Sequence, residues 1–292
     1  MKKVIAFSLW GNDPMYNVGA IKNASLVQMV YGNSWTSRFY LADDVPQETI
    51  EELNKVPNTE CIMMGSPNDW YGTFWRFLAI DDTDIAMFRD TDSRITDREY
   101  AAVKQWLDND ESVHIMRDHP YHSETILAGM WGCKSKDLIN LINEFQYKNN
   151  DLPTVTTLKE SIAHWTRYKI IEATTEGGVH NYKGNDQQYL REVVYPCVYK
   201  SSFIHDSFTS YNPWSNRMND GGNIRAEMFG SAELNTGFPS LRKRKDTLTM
   251  GKSINDIIDW NDFVGQVYDE NDIPNEEYAL LIKNTSKKIH PS

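Results

Sequence analysis

Val4-Ile5-Ala6-Phe7-Ser8-Leu9, running into Trp10-Gly11-Asn12-Asp13-Pro14, is the stretch on which the fold turns. An apolar run that ends in Gly, Asn, Asp and Pro predicts a buried strand followed by a loop. Val18 to Tyr31 then carries helical spacing, so the chain opens as a strand, a loop and a helix. The pattern repeats. Ser37 to Leu41 reads as a second strand, Gln47 to Lys55 as a helix opened by Pro46, and Cys61 to Met64 as a third strand. Phe74 to Ile80 is expected to be helical and Ile85 to Phe88 a buried strand. Thr96 to Leu107 is expected to be a helix that starts at the capping-box pair Thr96 and Glu99. Val113 to Met116 continues the strands, and helices follow over 135–146 and 157–172. Beyond the Gly/Asn-rich 177–185 stretch come a short helix, 187–193, and a strand, 202–204. Alternation of this kind predicts an α/β fold, a Rossmann-like and mostly parallel sheet flanked by helices. No repeat or Ser/Pro-rich linker divides the chain. A single domain over about 1–215 is expected, with 216–292 as a C-terminal appendage packed on it.

Composition narrows the chemistry. A formal charge of −11 and a pI near 5.1 exclude a nucleic-acid binder, since phosphate neutralisation needs a basic face. Anionic phosphate has to be met locally or through a bound cation. Cys61, Cys133 and Cys197 have no CxxC spacing and read as buried small hydrophobes in a reducing, cytoplasmic setting. No stretch approaches the ~20 apolar residues of a membrane span. Only peripheral membrane contact is left open, for example through the basic run Arg242-Lys243-Arg244-Lys245.

Working outward from the strand at 85–88 leads to Phe88-Arg89-Asp90-Thr91-Asp92-Ser93-Arg94. Two carboxylates one residue apart, just beyond a buried strand, face the same sheet edge. A hard divalent ion there can take oxygens from both and from a diphosphate. Asp82-Thr83-Asp84 and Asp108-Asn109-Asp110 have the same spacing but sit in polar loops. Arg76, one helix earlier, is a candidate for bidentate phosphate binding or for a surface ion pair with Asp81 and Asp82. Arg117 and Asp118 open the loop after a strand, where ligand contacts gather in α/β sheets. Ser8, Trp10, Gly11 and Tyr16 follow the first strand. His114, His119 and His122 fit no zinc spacing. Most of the nine tryptophans and fifteen tyrosines are expected in the core; Trp131 and Trp214 are the candidates for a sugar-binding cleft.

Trp75-Arg76-Phe77, the 88–94 motif, His114 to His122, Ile126 to Gly132 and, near the end, Phe263 to Pro274 together resemble a group of GT-A-fold glycosyltransferases. That group occurs in surface-polysaccharide and viral gene sets. The resemblance covers most of the chain and is specific over 74–132. It implies a transferase that takes a nucleoside-diphosphate sugar, UDP-linked in preference to GDP-linked, with Mn²⁺ or Mg²⁺, and a glycan acceptor. Ser8, Trp10, Gly11 and Tyr16 then stand where the nucleotide base binds in that fold.

A looser similarity runs to the retaining glycogenin-type and bacterial galactosyltransferases. Their motif order falls here on Asp90 and Asp92, Ala128-Gly129, Asp186-Gln187 and His205. The similarity implies metal ligation by Asp90, Asp92 and His205, donor contacts at Ala128 and Gly129, and catalysis with retention at Asp186 and Gln187. Asp118 is the rival, an inverting base. Leu127 replaces the asparagine of those enzymes, and Asn212-Pro213-Trp214 comes one residue later than their Lys-Pro-Trp, so no phosphate-binding lysine is assigned. The alternatives are a sugar nucleotidyltransferase, which lacks its Gly-rich basic loop here, and a non-catalytic sugar-binding module.

Overall fold

The computed structural model describes residues 1–66, 70–118, 124–149, 154–176, 183–206, 211–212, 217–218, 235–236 and 263–275. Strands β1 (Lys3–Leu9), β2 (Thr36–Ala42), β3 (Thr59–Gly65), β4 (Ile85–Phe88), β5 (Val113–Arg117), β6 (Trp131–Lys134) and β7 (Ser202–Asp206) build the main sheet. The two-residue strands β8 (Tyr211–Asn212) and β9 (Arg217–Met218) pair with each other, and β10 (Asn235–Thr236) adds to the edge of the main sheet. The order is β10-β7-β5-β6-β4-β1-β2-β3. Every pairing in it is parallel except those of β6, which runs against both β4 and β5. The mostly parallel α/β sheet is therefore as the sequence predicts, with one reversed strand inside it.

Strand alternation sorts side chains into two cores, because successive residues point to opposite faces. Val4, Ala6, Ala86, Phe88, Val113 and Ile115 enter one core, covered by a 3-10 helix (Trp70–Asp82) and by α4 (Ser135–Asn149) and α5 (Leu158–Glu176). Ile5, Phe7, Leu9, Ile85, Met87 and Met116 enter the other, covered by α1 (Pro14–Tyr31), α2 (Gln47–Lys55) and α3 (Asp97–Leu107). Rings lock both cores: Phe7 stacks on Phe39 at 4.7 Å, and Phe88 meets Trp131 at 4.5 Å. Such pairs contribute roughly 0.5–1.5 kcal/mol beyond their buried area.

Helix α1 begins four residues earlier than the apolar pattern predicts. Asp13 caps it by accepting from Met15 N at 2.9 Å, and Pro14, lacking an N–H, suits the first helical turn. The segment expected to be α-helical over 74–80 is the tighter 3-10 form over Trp70–Asp82. Thr96 caps α3 through Glu99 N at 3.1 Å, as the capping box requires. The Glu99 carboxylate turns away, however, to accept from Arg89 Nε and Tyr31 Oη, both at 2.8 Å. Buried Arg89 outcompetes the backbone N–H for it.

The chain runs outward from β1 through β2 and β3, then returns to place β4 on the other side of β1. The carboxyl ends of β1 and β4 flank this reversal, where open α/β sheets form ligand crevices. Among the described residues no helix is long and apolar enough to cross a membrane.

Candidate active site

A cavity of about 610 Å³ occupies that reversal. Ser8, Trp10, Gly11 and Tyr16 reach it from the β1–α1 turn, and Asp90 and Asp92 from the end of β4. Ala128 and Gly129 enter from the loop before β6, and Asp186 and Gln187 from the short helix α6 (Asn185–Tyr189). All of these are expected site residues, brought together from four separated parts of the chain. A second hollow of about 750 Å³ lies at the opposite ends of β1 and β4. Its rim mixes Lys3, Lys104 and Lys134 with Asp84, Asp108 and Asp137, without the arginine-bridged carboxylates of the first.

Arg76 organises the first cavity. Its backbone N donates to Ser8 Oγ at 3.0 Å, which ties the 3-10 helix to β1. Its Nη1 binds Asp90 Oδ1, and its Nη2 binds Asp186 Oδ2 at 2.8 Å. Burial works against the guanidinium's charge, but the two carboxylates hold it above its usual value. The carboxylates remain under strain. Burial raises Asp92 to about 7, with the charge of Asp90 adding to it. Burial also raises Asp186, against the pull of Arg76. Two of these acids, Asp90 and Asp186, are ion-paired to Arg76, while Asp92 has no ion pair among the described residues.

The surrounding residues hold these groups in place. A Cβ on Gly129 would lie 2.6 Å from Asp90 Cγ, so only glycine lets the loop pass the carboxylate. Gln187 accepts from Ala128 N and donates to Ile126 O at 2.7 Å, so it acts as a clamp on that loop. Asn23 of α1 donates to Thr91 O at 3.2 Å and Ser93 O at 2.8 Å and accepts from Ile95 N at 3.1 Å. Gly19 sits where a Cβ would be 3.0 Å from Arg94 Nη1 and closer still to Thr91 O. The carboxylate loop thus lies directly on the α1 backbone.

Four expectations fail. His205, expected to complete a metal site, is fully buried on β7, outside the cavity. Its Nδ1 shares a 2.8 Å hydrogen bond with His114 Nε2, and its Nε2 meets Gln105 Oε1 at 3.0 Å, so both ring nitrogens are engaged. Burial, with the charge of Arg98, lowers it to about 4, and His114 is held well below its usual value chiefly by burial. Asp118, the rival base, is fully buried against Arg98 at 2.9 and 3.0 Å and accepts from Val264 N at 3.1 Å. Arg117 is likewise spent, on Asp206 at 2.8 Å and Thr125 O at 2.9 Å. Trp131 is a core residue between Phe77 and Phe88, not a cleft wall. His119, His122, Trp214 and the basic run 242–245 lie outside the described residues.

The cavity also has walls that no sequence pattern singles out. Trp70 meets Trp10 edge to face at 6.5 Å, and Lys183 and Gly184 precede Asp186. Gly265 and Val267 arrive from the C-terminal segment, whose role no local pattern indicates. Among the described residues no three His, Cys, Asp or Glu side chains converge into a metal cage. Among the described residues that line the cavity, Asp90 and Asp92 are the two carboxylates at the end of β4 that could hold an ion.

The frame is that of an α/β protein with an acidic ligand crevice at its strand reversal. Among solved structures, the chain is similar to an active-site mutant of LgtC over 96% of its own length and 95% of that chain. The identity is 10% and the TM-score 0.42. Galactosyltransferase LgtC with donor and acceptor sugar analogues gives the same coverages at 10% identity and TM-score 0.41. Glucosyl-3-phosphoglycerate synthase from Mycobacterium tuberculosis, in complex with Mn²⁺, UDP and phosphoglyceric acid, matches 47% of this chain at 11% identity and TM-score 0.34. The chain spans 57% of that synthase and 55% of a second mycobacterial protein. No family model and no curated protein matches the chain.

Proposed function

We propose that the chain is a metal-dependent glycosyltransferase, a hexosyl- or related transferase. It moves a sugar from a nucleoside-diphosphate sugar, UDP-linked in preference to GDP-linked, to a glycan or other acceptor, with retention. The observation that carries this reading is that Asp90 and Asp186, bridged by Arg76, share one cavity with Asp92 and with the aromatic side chains of Trp10, Tyr16 and Trp70. An acidic wall suits a diphosphate held through a cation, and an aromatic wall suits a base or sugar face. The resemblance of 74–132 to surface-polysaccharide enzymes favours a glycan acceptor.

The donor set fits Mn²⁺ or Mg²⁺. Two carboxylates without a cage leave positions for phosphate oxygens and water, the usual way magnesium is held beside phosphates. A cation there also offsets the burial and, after it, the Asp90 charge that raise Asp92. When bound, the ion supplies a Lewis acid that neutralises the departing diphosphate, a contribution of several kcal/mol.

The other steps belong to side chains. Arg76 holds Asp90 and Asp186 at a fixed separation and is itself fixed through Ser8. Asp186, raised by burial and facing the cavity, stabilises positive charge on the reacting sugar or forms a transient bond to its open face. The sealing of Asp118 against Arg98 removes the competing base, which supports retention. Gln187 keeps Ala128 and Gly129 against the donor.

The test is to incubate the purified chain with a panel of nucleotide sugars, with and without Mn²⁺, and to follow release of the nucleoside diphosphate. One donor should be consumed only with metal, and Asp90→Asn should stop the reaction. Undiminished turnover in EDTA, or no donor consumed or bound, overturns the reading. Proton NMR of the first product reports its configuration, and an inverted linkage overturns retention alone.

A further inference from the structure

Arg94, the last residue of the 88–94 motif, takes no part in the chemistry above, yet it is 8% exposed and makes hydrogen bonds in two directions. Toward the carboxylate loop, Nη1 donates to Thr91 O at 3.2 Å and Ser93 O at 2.9 Å. Toward residues 263–275, Nη2 donates to Asp269 O at 3.1 Å and Nε to Asp272 Oδ1 at 2.9 Å. The guanidinium also lies over the Tyr268 ring, 5.4 Å from its centroid. These partners are more than 170 residues away in the chain.

The distant segment makes contacts of its own with the loop. Tyr268 N donates to Asp92 O at 2.8 Å, so the backbone of the second carboxylate is itself pinned. Lys22 of α1 binds Asp272 Oδ2 at 2.6 Å and Glu270 O at 3.0 Å, which fastens the segment from the other side. Asp269 Oδ1 accepts from Asn271 N and Ile273 N, at 2.9 and 2.8 Å, and holds the turn that presents Asp272. Upstream, Phe263 and Val264 are buried, and Gly265 and Val267 reach the cavity wall.

We propose that residues 263–275 form a strap that positions the Asp90-Thr91-Asp92 loop, and that Arg94 is the positioning residue through which it acts. The inference rests on the reading of Asp90 and Asp92 as the groups that hold the diphosphate-bound ion. The loop is held twice, by Asn23 and Gly19 of α1 and by the strap through Tyr268 N and Arg94. Arg94 suits this role because a planar guanidinium reaches four oxygens in fixed directions, which a lysine ammonium on a flexible stem does not reproduce. The strap supplies no group to the reaction; it sets where Asp92 points.

The experiment uses the full chain as wild type, Arg94→Lys, Arg94→Gln, Asp272→Asn and the double variant Arg94→Gln/Asp272→Asn. Asp272 is half-exposed, so Asp272→Asn keeps the fold. Amide hydrogen exchange of the unliganded variants should rise together in 263–275 and in 89–95, with β1 to β3 unchanged. Calorimetric titration with Mn²⁺ and UDP together should show affinity weakened at least about 10-fold in Arg94→Gln and Asp272→Asn. Arg94→Lys should recover little of it, and the double variant should be no weaker than the worse single one. Exchange that rises only in the substituted segment overturns the proposal. So does unchanged Mn²⁺ and UDP affinity in these variants when the wild type binds both. A wild type that takes up neither Mn²⁺ nor UDP refutes the metal-site reading instead, and the exchange data then decide alone whether strap and loop are coupled.

Discussion

The Gly129→Ala chain asks whether the Asp90 carboxylate has to sit where it does. A methyl group there would lie 2.6 Å from Asp90 Cγ and 3.1 Å from its backbone N. Non-bonded carbons settle at about 3.5–4.0 Å, so the carboxylate has to retreat by about 1 Å, and its bond to Arg76 is lost with the movement. The Asp90 side chain is 50% exposed and borders the cavity, so it can swing aside without prising the sheet apart. The stability cost therefore stays near the low end for overpacking, about 1 kcal/mol, or a fall in Tm of about 2–4 °C. Function lacks that tolerance. A misplacement of about 1 Å costs on the order of 100-fold, about 2.7 kcal/mol of transition-state stabilisation. Metal-dependent kcat/KM for the donor found in the panel, measured beside a calorimetric Tm, separates the two effects. A Gly129→Ala chain that turns over within about threefold of wild type would refute the claim that Asp90 is placed for chemistry.

Other outcomes follow from the buried charges. Glu99→Ala leaves Arg89 buried with its charge uncompensated, and should cost about 3–5 kcal/mol in urea unfolding; a loss under about 1 kcal/mol would show that the pair does not hold the loop base. Asp118→Ala should destabilise by a similar amount through stranded Arg98, while kcat per folded molecule at saturating Mn²⁺ and donor stays within about threefold. A collapse of kcat with unchanged stability would return the catalytic role to Asp118. The buried histidines add an acid sensitivity of stability. Burial lowers His205 from about 6.5 when unfolded to about 4 when folded, so the unfolded chain takes up the proton first. The contribution is intact above about pH 6.5 and is lost progressively toward pH 4, on the order of 3 kcal/mol in all. His205→Gln should flatten that part of the unfolding-against-pH profile, and an unaltered profile would contradict the assignment.

Much of the frame was legible because it depends on local pattern. The apolar run 4–9 and the buried run 85–88 are strands whichever neighbours they find, and alternation of strand and helix fixes a parallel sheet. The reversed β6 was not legible, because the direction of a short strand depends on the loop that feeds it. Asp90, Asp92 and Asp186 could be singled out as carboxylates near strand ends or in a recognised order, whereas Arg76 was expected to meet phosphate or Asp81 and Asp82, and it is buried against Asp90 and Asp186 instead. His205 shows where order misleads. In β7, Ile204 faces one core while Phe203 and His205 turn toward the α3 side, so a side chain in the expected sequence position meets His114 instead of the cavity. Glu99 shows the same for a local motif, half of whose bonding is taken by a buried arginine. Arg94 and the 263–275 segment could not be joined from sequence, because their contact is a tertiary closure with no periodicity of its own.

In the proposed function, everything depends on the loop of Asp90 and Asp92 holding a divalent ion under a nucleoside diphosphate. Crystals of the full chain grown with MnCl₂ and UDP, with diffraction recorded at the manganese edge, test it directly. One strong anomalous peak is expected within bonding distance of both the Asp90 and Asp92 carboxylates and of the diphosphate, with His205 still paired to His114. A peak coordinated by His205, or UDP bound in the cavity with no manganese at Asp90 and Asp92, would contradict it.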